Sequence, residues 1–327
     1  MYRRLHIFNP ETDYALASGS PYYTPPAHVL EIRKKNALVP ALYASCGDAI
    51  LLLDSFDNPS CLDYYDMVER KGIKLVAFND REKGRFDFTE YEADPWGWNP
   101  RIRRMLMEGC PGLNGIISEE AVVSIRALSH RRTTILIHRA MKGRINPEIR
   151  LPVEITDPRI AVENFLKDRH LFFKAPWSSS GRGVMLADDL GLKHVEPWVR
   201  GIIRRQGSVM MEKAYDRLLD FATEWFIEDG KACFLGYSVF DVSRRGKYQS
   251  NMKAGQNELL RLITSMSKDW DNSYLDCQKV ALEAVIGHSY SGPLGVDMLV
   301  TRNGNVNPCV EINLRHTMGM IWLAEFQ

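Results

Sequence analysis

Two carboxylates late in the chain, Asp297 and Glu311, stand in segments that alternate apolar and polar residues, GVDMLV at 295–300 and VEINLR at 310–315. Side chains alternate between the two faces of a strand, so Glu311, Asn313 and Arg315 share one face while Val310, Ile312 and Leu314 share the other. Val296, Met298 and Val300 form a similar apolar row, and Asn303-Gly304 between the segments is a turn signal. The pattern is that of a β-hairpin with one charged face. A three-residue loop centred on Gly304 puts Asp297 opposite Glu311 and Gly295 opposite Asn313; a two-residue Asn-Gly loop puts the carboxylates on opposite faces. The first register is expected, because it alone keeps both apolar rows against one core. Carboxylates side by side repel unless a cation lies between them, and a hard divalent ion with several oxygen ligands, such as Mg²⁺ carrying a nucleotide, suits them best. The competing reading is a solvated face with an ion pair to Arg315.

A second constellation begins at Lys174, which ends the apolar run LFFK and is costly to bury without an anionic partner. The loop that follows holds Ser178, Ser179, Ser180, Gly181, Arg182 and Gly183. Small residues there let backbone N–H groups and hydroxyls approach a polyphosphate, although no Gly-Lys-Ser/Thr follows and the loop is not a Walker A sequence. Further on, Glu212, Lys213 and Ala214 close another apolar strand, whose end offers backbone groups to a flat heterocycle. Asp220 and Glu224 could meet ribose hydroxyls, yet such acids are more often solvated. Arg131 and Arg132 begin a helix, where end amides add to anion binding. No HExxH and no Gly-x-Ser-x-Gly occurs, so covalent hydrolase chemistry is not expected.

The elements that must position these groups follow from periodicity. Apolar runs at 5–8, 49–53 and 73–77 alternate with helical patterns near 27–44 and 62–71, a βαβαβ rhythm that implies a parallel sheet with ligands near the carboxyl ends of its strands. The loop at 9–14 occupies such a place without a G-x-G-x-x-G fingerprint, and reads as a turn with Asn9 and Asp13 bonding local backbone. A Trp- and Pro-rich passage at 94–100 interrupts the rhythm, and a further strand is expected at 115–118. A helix is expected from about 129 to 141, then a small α+β lobe at about 161–225 and a larger lobe at 226–327. In the latter, strands near 223–227 and 232–242 precede a helix near 275–289.

Composition narrows the class. With 327 residues and 45% hydrophobic content, the chain can bury cores in two or three domains. Lys plus Arg total 42 against 41 for Asp plus Glu, so no global field favours nucleic acid or an anionic membrane. The six cysteines form no CxxC pair, which suits a reducing cytoplasm, and no apolar stretch approaches a membrane span. Neither nucleic-acid nor membrane partners are expected.

The order of these pieces resembles the ATP-grasp superfamily: a strand lysine, a Ser/Gly/Arg loop, a strand ending in Glu-Lys, then a Gly-Val-Asp strand paired with Val-Glu-Ile-Asn-Leu-Arg. The resemblance covers residues 129–327, and 1–128 looks like the Rossmann-like domain that commonly precedes that fold. It implies an α/β domain with a parallel sheet, then a two-lobed α+β ATP-grasp domain. ATP would lie between the lobes, with Lys174 on its phosphates, residues 178–183 over them and 212–214 at the adenine. Asp297, Glu311 and Asn313 would carry Mg²⁺ or Mn²⁺, and Arg315 would stabilise an acyl phosphate or a substrate carboxylate. Two departures stand out: Arg131 or Arg132 replaces a lysine usual before the small lobe, and little chain follows residue 320. The implied activity is an ADP-forming ligase that joins a small-molecule carboxylate to an amine-type acceptor. A small-molecule kinase and a non-catalytic nucleotide-binding regulatory module are the alternatives, and a homodimer is an allowed assembly.

Overall fold

The computed structural model describes residues 2–54, 62–78, 86–178, 183–188, 190–244, 246 and 248–325. The chain divides into two compact units, Met1–Arg126 and Ala127–Phe326.

The first unit contains β1 (Arg3–Ile7), α1 (Thr12–Ser18), α2 (Ala27–Lys35), β2 (Ala49–Leu52), α3 (Leu62–Arg70), β3 (Lys74–Ala77), β4 (Tyr91–Pro95), α4 (Pro100–Gly109) and most of α5 (Glu119–Leu128). Its four strands pair in parallel in the order β3-β2-β1-β4. Both faces of β2 are covered, which is why AILL reads as an unbroken apolar run: Leu51 joins a core with Leu5, Ile7 and Leu106, while Ile50 and Leu52 join Leu38 and Val68 on the other side.

Two expectations are corrected here. The helix expected at 27–44 stops at Lys35, and a 3₁₀ turn (Val39–Leu42) containing Pro40 follows. The strand expected at 115–118 does not form. The fourth strand of the sheet is instead β4 beside β1, which alternates buried Tyr91, Ala93 and Pro95 and tolerates Pro95 because it is an edge strand. Only Asn114 bridges to Glu92, since Gly115 at φ 71° turns the chain away. In the loop at 9–14, Asn9 donates to Thr12 Oγ1 (2.9 Å) and to Gly97 O (2.8 Å).

The second unit contains α6 (Thr133–Ala140), β5 (Val153–Ile155), α7 (Pro158–Lys167), β6 (Leu171–Lys174), β7 (Val184–Leu186), α8 (Leu192–Gln206) and β8 (Val209–Lys213). It continues with β9 (Arg217–Glu228), β10 (Lys231–Val242), β11 (Tyr248–Asn251), α9 (Gln256–Met266), α10 (Asn272–Leu282), β12 (Gly292–Thr301), β13 (Val306–Asn313) and α11 (Met318–Glu325). Two antiparallel sheets result, β5-β8-β6-β7 and β11-β10-β9-β12-β13. An α/β unit with a parallel sheet, followed by two α+β lobes, is the architecture expected from the sequence.

The lobes divide earlier than expected. The small sheet starts at Val153, and β9, assigned in part to the small lobe by its 161–225 span, lies wholly in the large sheet. The change of sheet occurs at 214–216: Ala214 N–H donates to His170 O on one side, and Asp216 O accepts from Arg302 N–H on the other. The expected helix at 275–289 is α10 followed by a π-helical turn, Glu283–Gly287. Among the described residues, no helix is long and apolar enough to cross a membrane.

At the centre of the first sheet, buried His6 places Nδ1 2.7 Å from Asp94 Oδ2 and Nε2 3.1 Å from Asp48 Oδ2, with the edge of the Tyr43 ring beside it. Burial opposes the imidazolium, but the hydrogen bonds and charges of Asp48 and Asp94 outweigh it and raise the His6 pKa above its ordinary 6.5. Burial likewise opposes the Asp48 charge, yet His6 and the N–H groups of Arg4 and Ser45 hold that carboxyl below 3.8. The His6 contribution to stability is therefore complete below pH 6.5 and lost as pH rises through the higher folded-state value; the Asp48 contribution is lost only as pH falls below 3.8. Replacing His6 with Gln should cost about 3 kcal/mol in mildly acid solution and flatten the decline that sets in above pH 6.5. Hydrogen exchange of the β1 amides across pH reads this; an unchanged slope would contradict it.

Candidate active site

In the hairpin, Asp297 lies directly opposite Glu311, Val296 opposite Ile312 and Gly295 opposite Asn313. Nearer the turn the pairing is Leu299 with Asn307 and Val300 with Val306, so β13 carries two more residues than β12 between the two registers. The turn is thus centred on Asn303 rather than on Gly304 as expected, with Thr301 N–H donating to Asn305 O (2.9 Å). An offset of two residues preserves side-chain parity, and both carboxylates stay on one face. The neighbouring strand β9 pairs Ala222 with Asp297, Glu224 with Gly295 and Asp220 with Leu299, which puts Asp220 and Glu224 on the same face.

This face is crowded with acid. Burial raises the Asp297 carboxyl first, then the charges of Glu311 and Glu224, to about 8, against the opposing pull of Arg315 and a hydrogen bond with Asn313. Burial and two neighbouring acids together thus disfavour the charged form of Asp297. No three His, Cys, Asp or Glu side chains converge on one point among the described residues. The donors are two carboxylates and the Asn313 amide, all oxygen, a set that fits Mg²⁺ completed by water and phosphate oxygens. Arg315 donates from Nη2 to Asn313 Oδ1 (2.9 Å) and from Nη1 to His316 O (3.0 Å), so it stands beside this set.

Strand alternation on β6 sends Leu171 and Phe173 into the core under α7 and α8, and Phe172 and Lys174 to the opposite face. Lys174 pairs there with Glu212, whose register places it opposite Phe172. The second carboxylate oxygen of Glu212, Oε1, is buried and receives no hydrogen bond. Lys213 falls on the alternate face, its ammonium 5.3 Å from the centre of the Tyr215 ring.

Ser179, Ser180, Gly181 and Arg182 lie outside the described residues; the root of their loop does not. Ala175 N–H donates to Gly183 O (2.7 Å), and Gly183 has φ 78°. A Cβ on Gly183 would lie 2.8 Å from Ser178 Cβ, so only glycine closes this loop without displacement. The Arg131 guanidinium donates from Nη1 to Ala175 O and to Ser178 Oγ, both at 2.7 Å, and from Nη2 to Glu311 Oε1 at 2.6 Å. Arg132 is half exposed and 3.9 Å from Glu154, so of the two arginines Arg131 is the one placed beside the carboxylates.

A cleft of about 450 Å³ runs along Phe172, Leu186, Ala214, Leu218, Asp220 and Phe240, between the faces of the two sheets. Burial raises the Asp220 pKa, and Arg217, 3.4 Å away, opposes the shift. Lys174 and the Asp297–Glu311 pair do not line the cleft. Lys174 nonetheless acts on Asp220 through its charge.

Glu224 is placed differently from the ribose contact expected of it. It is 1% exposed, Oε1 accepts from Ser238 Oγ and Oε2 from Thr317 Oγ1, each at 2.9 Å, and burial pushes its carboxyl up to about 7. A side chain walled in this way anchors the segment after Arg315. Its sequence signals were Gly295 and Gly319, whose Cβ atoms would intrude on this carboxylate at 2.9 and 2.0 Å. The role of Arg131 at Glu311 had no sequence signal, because 180 residues separate the two.

No protein-family model matches the chain, and no curated protein matches it in sequence. Solved structures do match in fold. One is biotin carboxylase from Campylobacter jejuni in a β,γ-ATP complex, with a TM-score of 0.54 and 12% identity over 99% of this chain and 71% of that one. Another is the biotin carboxylase domain dimer of 2-oxoglutarate carboxylase from Hydrogenobacter thermophilus, in complex with MgADP, ADP and bicarbonate; its TM-score is 0.54 at 11% identity, over 100% and 70% of the two chains. D-cycloserine synthetase matches with a TM-score of 0.52 and 14% identity, over 85% of this chain and 97% of its own.

The packing around Glu224 is open to a direct test. Gly319→Ala would bring a Cβ within 2.4 Å of Ser238 Oγ as well as against the carboxylate, and should destabilise the protein by about 2 kcal/mol. Chemical denaturation measures the loss; an unshifted midpoint would contradict the placement of Glu224.

Proposed function

We propose that this chain, which has the ATP-grasp fold, is a Mg²⁺-dependent, ADP-forming ligase that activates a small-molecule carboxylate for attack by an amine-type nucleophile. The observation that carries the reading is the pairing of Asp297 with Glu311 on neighbouring strands, with Asn313 on the same face. The β,γ-ATP, MgADP and bicarbonate named for the similar structures support it.

Asp297, Glu311 and Asn313 would hold the ion. When bound, Mg²⁺ neutralises phosphate oxygens and fixes the triphosphate for transfer. Lys174 gives a point charge to the phosphates from the small sheet, and the loop rooted at Ala175, Ser178 and Gly183 offers backbone N–H groups to them. An oxygen of the substrate carboxylate attacks the γ-phosphorus, the bond to ADP breaks, and an acyl phosphate forms. Arg315 steadies negative charge on the moving phosphoryl group. The amine then attacks the acyl carbon, phosphate leaves with the bonding electrons, and the amine loses a proton. No enzyme nucleophile is required, and most of the rate advantage comes from orientation.

Mass spectrometry of reactions containing Mg²⁺-ATP, pooled carboxylic acids and amines should find ADP, free phosphate and a condensed product. A stable phosphorylated product, or binding without nucleotide consumption, would contradict the ligase reading. Asp297→Asn and Glu311→Gln should each lower ADP formation by about a hundredfold or more. Asp297→Asn should do so without loss of thermal stability, because it replaces a carboxyl whose charged form its surroundings already disfavour. Retained turnover in both variants would remove the metal assignment.

A further inference from the structure

Arg131 makes contacts in two directions. One nitrogen of its guanidinium holds the root of the loop, through Ala175 O and Ser178 Oγ, and another holds Glu311 Oε1. Its side chain is 4% exposed, so the charge is desolvated and its partners are fixed. Its backbone N–H adds a bond to Pro176 O (3.1 Å), which fastens the same loop root from a second point. A lysine could not copy this arrangement, because one ammonium has neither the reach nor the planar fork to serve a carbonyl, a hydroxyl and a carboxylate together.

Charge gives the arrangement its consequence. Arg131 at Glu311 and Arg315 beside Asn313 offset part of the negative charge of the acidic face from within the protein. A divalent cation approaching Glu311 meets a carboxylate that already holds a buried guanidinium, and two cations on one carboxylate repel.

Resting on the ligase reading above, we propose that Arg131 is a built-in counter-ion for Glu311: Mg²⁺ takes over the carboxylate, and the released guanidinium, still beside the loop root, turns its charge to the phosphates of the nucleotide. Metal loading and phosphate binding are then coupled through one side chain. Arg131 acts on the metal by competition and on the nucleotide by attraction, so its removal moves the two affinities in opposite directions. A purely structural arginine would not do that, since loosening the site lowers both.

The test measures Mn²⁺ binding without nucleotide, by electron paramagnetic resonance, and Mg²⁺-ATP binding by calorimetry, in the wild-type protein and in the Arg131→Met, Arg131→Lys and Glu311→Gln variants. Arg131→Met should bind Mn²⁺ about tenfold more tightly than wild type and Mg²⁺-ATP about tenfold less tightly. Arg131→Lys keeps the charge and guards against a folding failure in the methionine variant; it should change both affinities in the same senses by smaller factors. Unchanged or weaker Mn²⁺ binding in both Arg131 variants would overturn the inference. If Glu311→Gln still abolishes Mn²⁺ binding in that case, the metal site stands and only the counter-ion role falls. If Glu311→Gln leaves Mn²⁺ binding intact, the metal assignment itself fails and the inference with it.

Discussion

Asp297 and Glu311 face each other across an antiparallel ladder, and two like charges in that position repel. Much of the surrounding structure answers that repulsion. Arg131 reaches Glu311 from the turn before α6, Arg315 reaches Asn313 from the end of β13, and the Asp297 carboxyl is pushed up to about 8. The hairpin bulge has the same bearing, because its offset of two residues keeps both acids on one face where an offset of one would separate them. On the proposed function, a divalent cation would sit on this face, where β9, β12 and β13 gather acid and the protein's own cations offset it only in part.

The two sheets of the second unit divide the task. On the proposed function the larger would offer oxygen ligands and the smaller positive charge and a glycine-closed loop root, while the short link at 214–216 is tied on both sides, by Ala214 N–H to His170 O and by Asp216 O to Arg302 N–H. Glu212 holds Lys174, and its unserved Oε1 leaves one buried acceptor beside that lysine. Glu224 contributes indirectly, since its bond from Thr317 Oγ1 fixes the chain two residues beyond Arg315. The first unit is organised around a different charge problem, the imidazolium of His6 between Asp48 and Asp94 at the middle of a parallel sheet.

What the sequence made legible followed short-range periodicity. Alternation in VEINLR put Glu311 and Asn313 on one face, and the apolar rows selected the parity that the bulged hairpin in fact keeps. A lysine closing LFFK called for an anionic partner, and Glu212 on the adjoining strand is that partner. The misses came from long range. Nothing local joins Arg131 to Glu311, and nothing local says that a helix beginning near Gly319 will wall off Glu224. β4 escaped notice because Pro95 and the tryptophans beside it obscured a three-position alternation, and β9 was divided too late because its switch of sheet depends on pairing partners at 170 and 302. Periodicity reports which face a residue takes; it does not report what tertiary packing brings to that face.

Anomalous diffraction from crystals grown with Mn²⁺ and a non-hydrolysable ATP analogue tests the central claim most directly. The account requires a manganese peak within bonding distance of oxygens from Asp297, Glu311 and Asn313, with the analogue's phosphates completing its coordination. Manganese held only by the nucleotide or at other side chains, with the Asp297–Glu311 pair untouched, would contradict it.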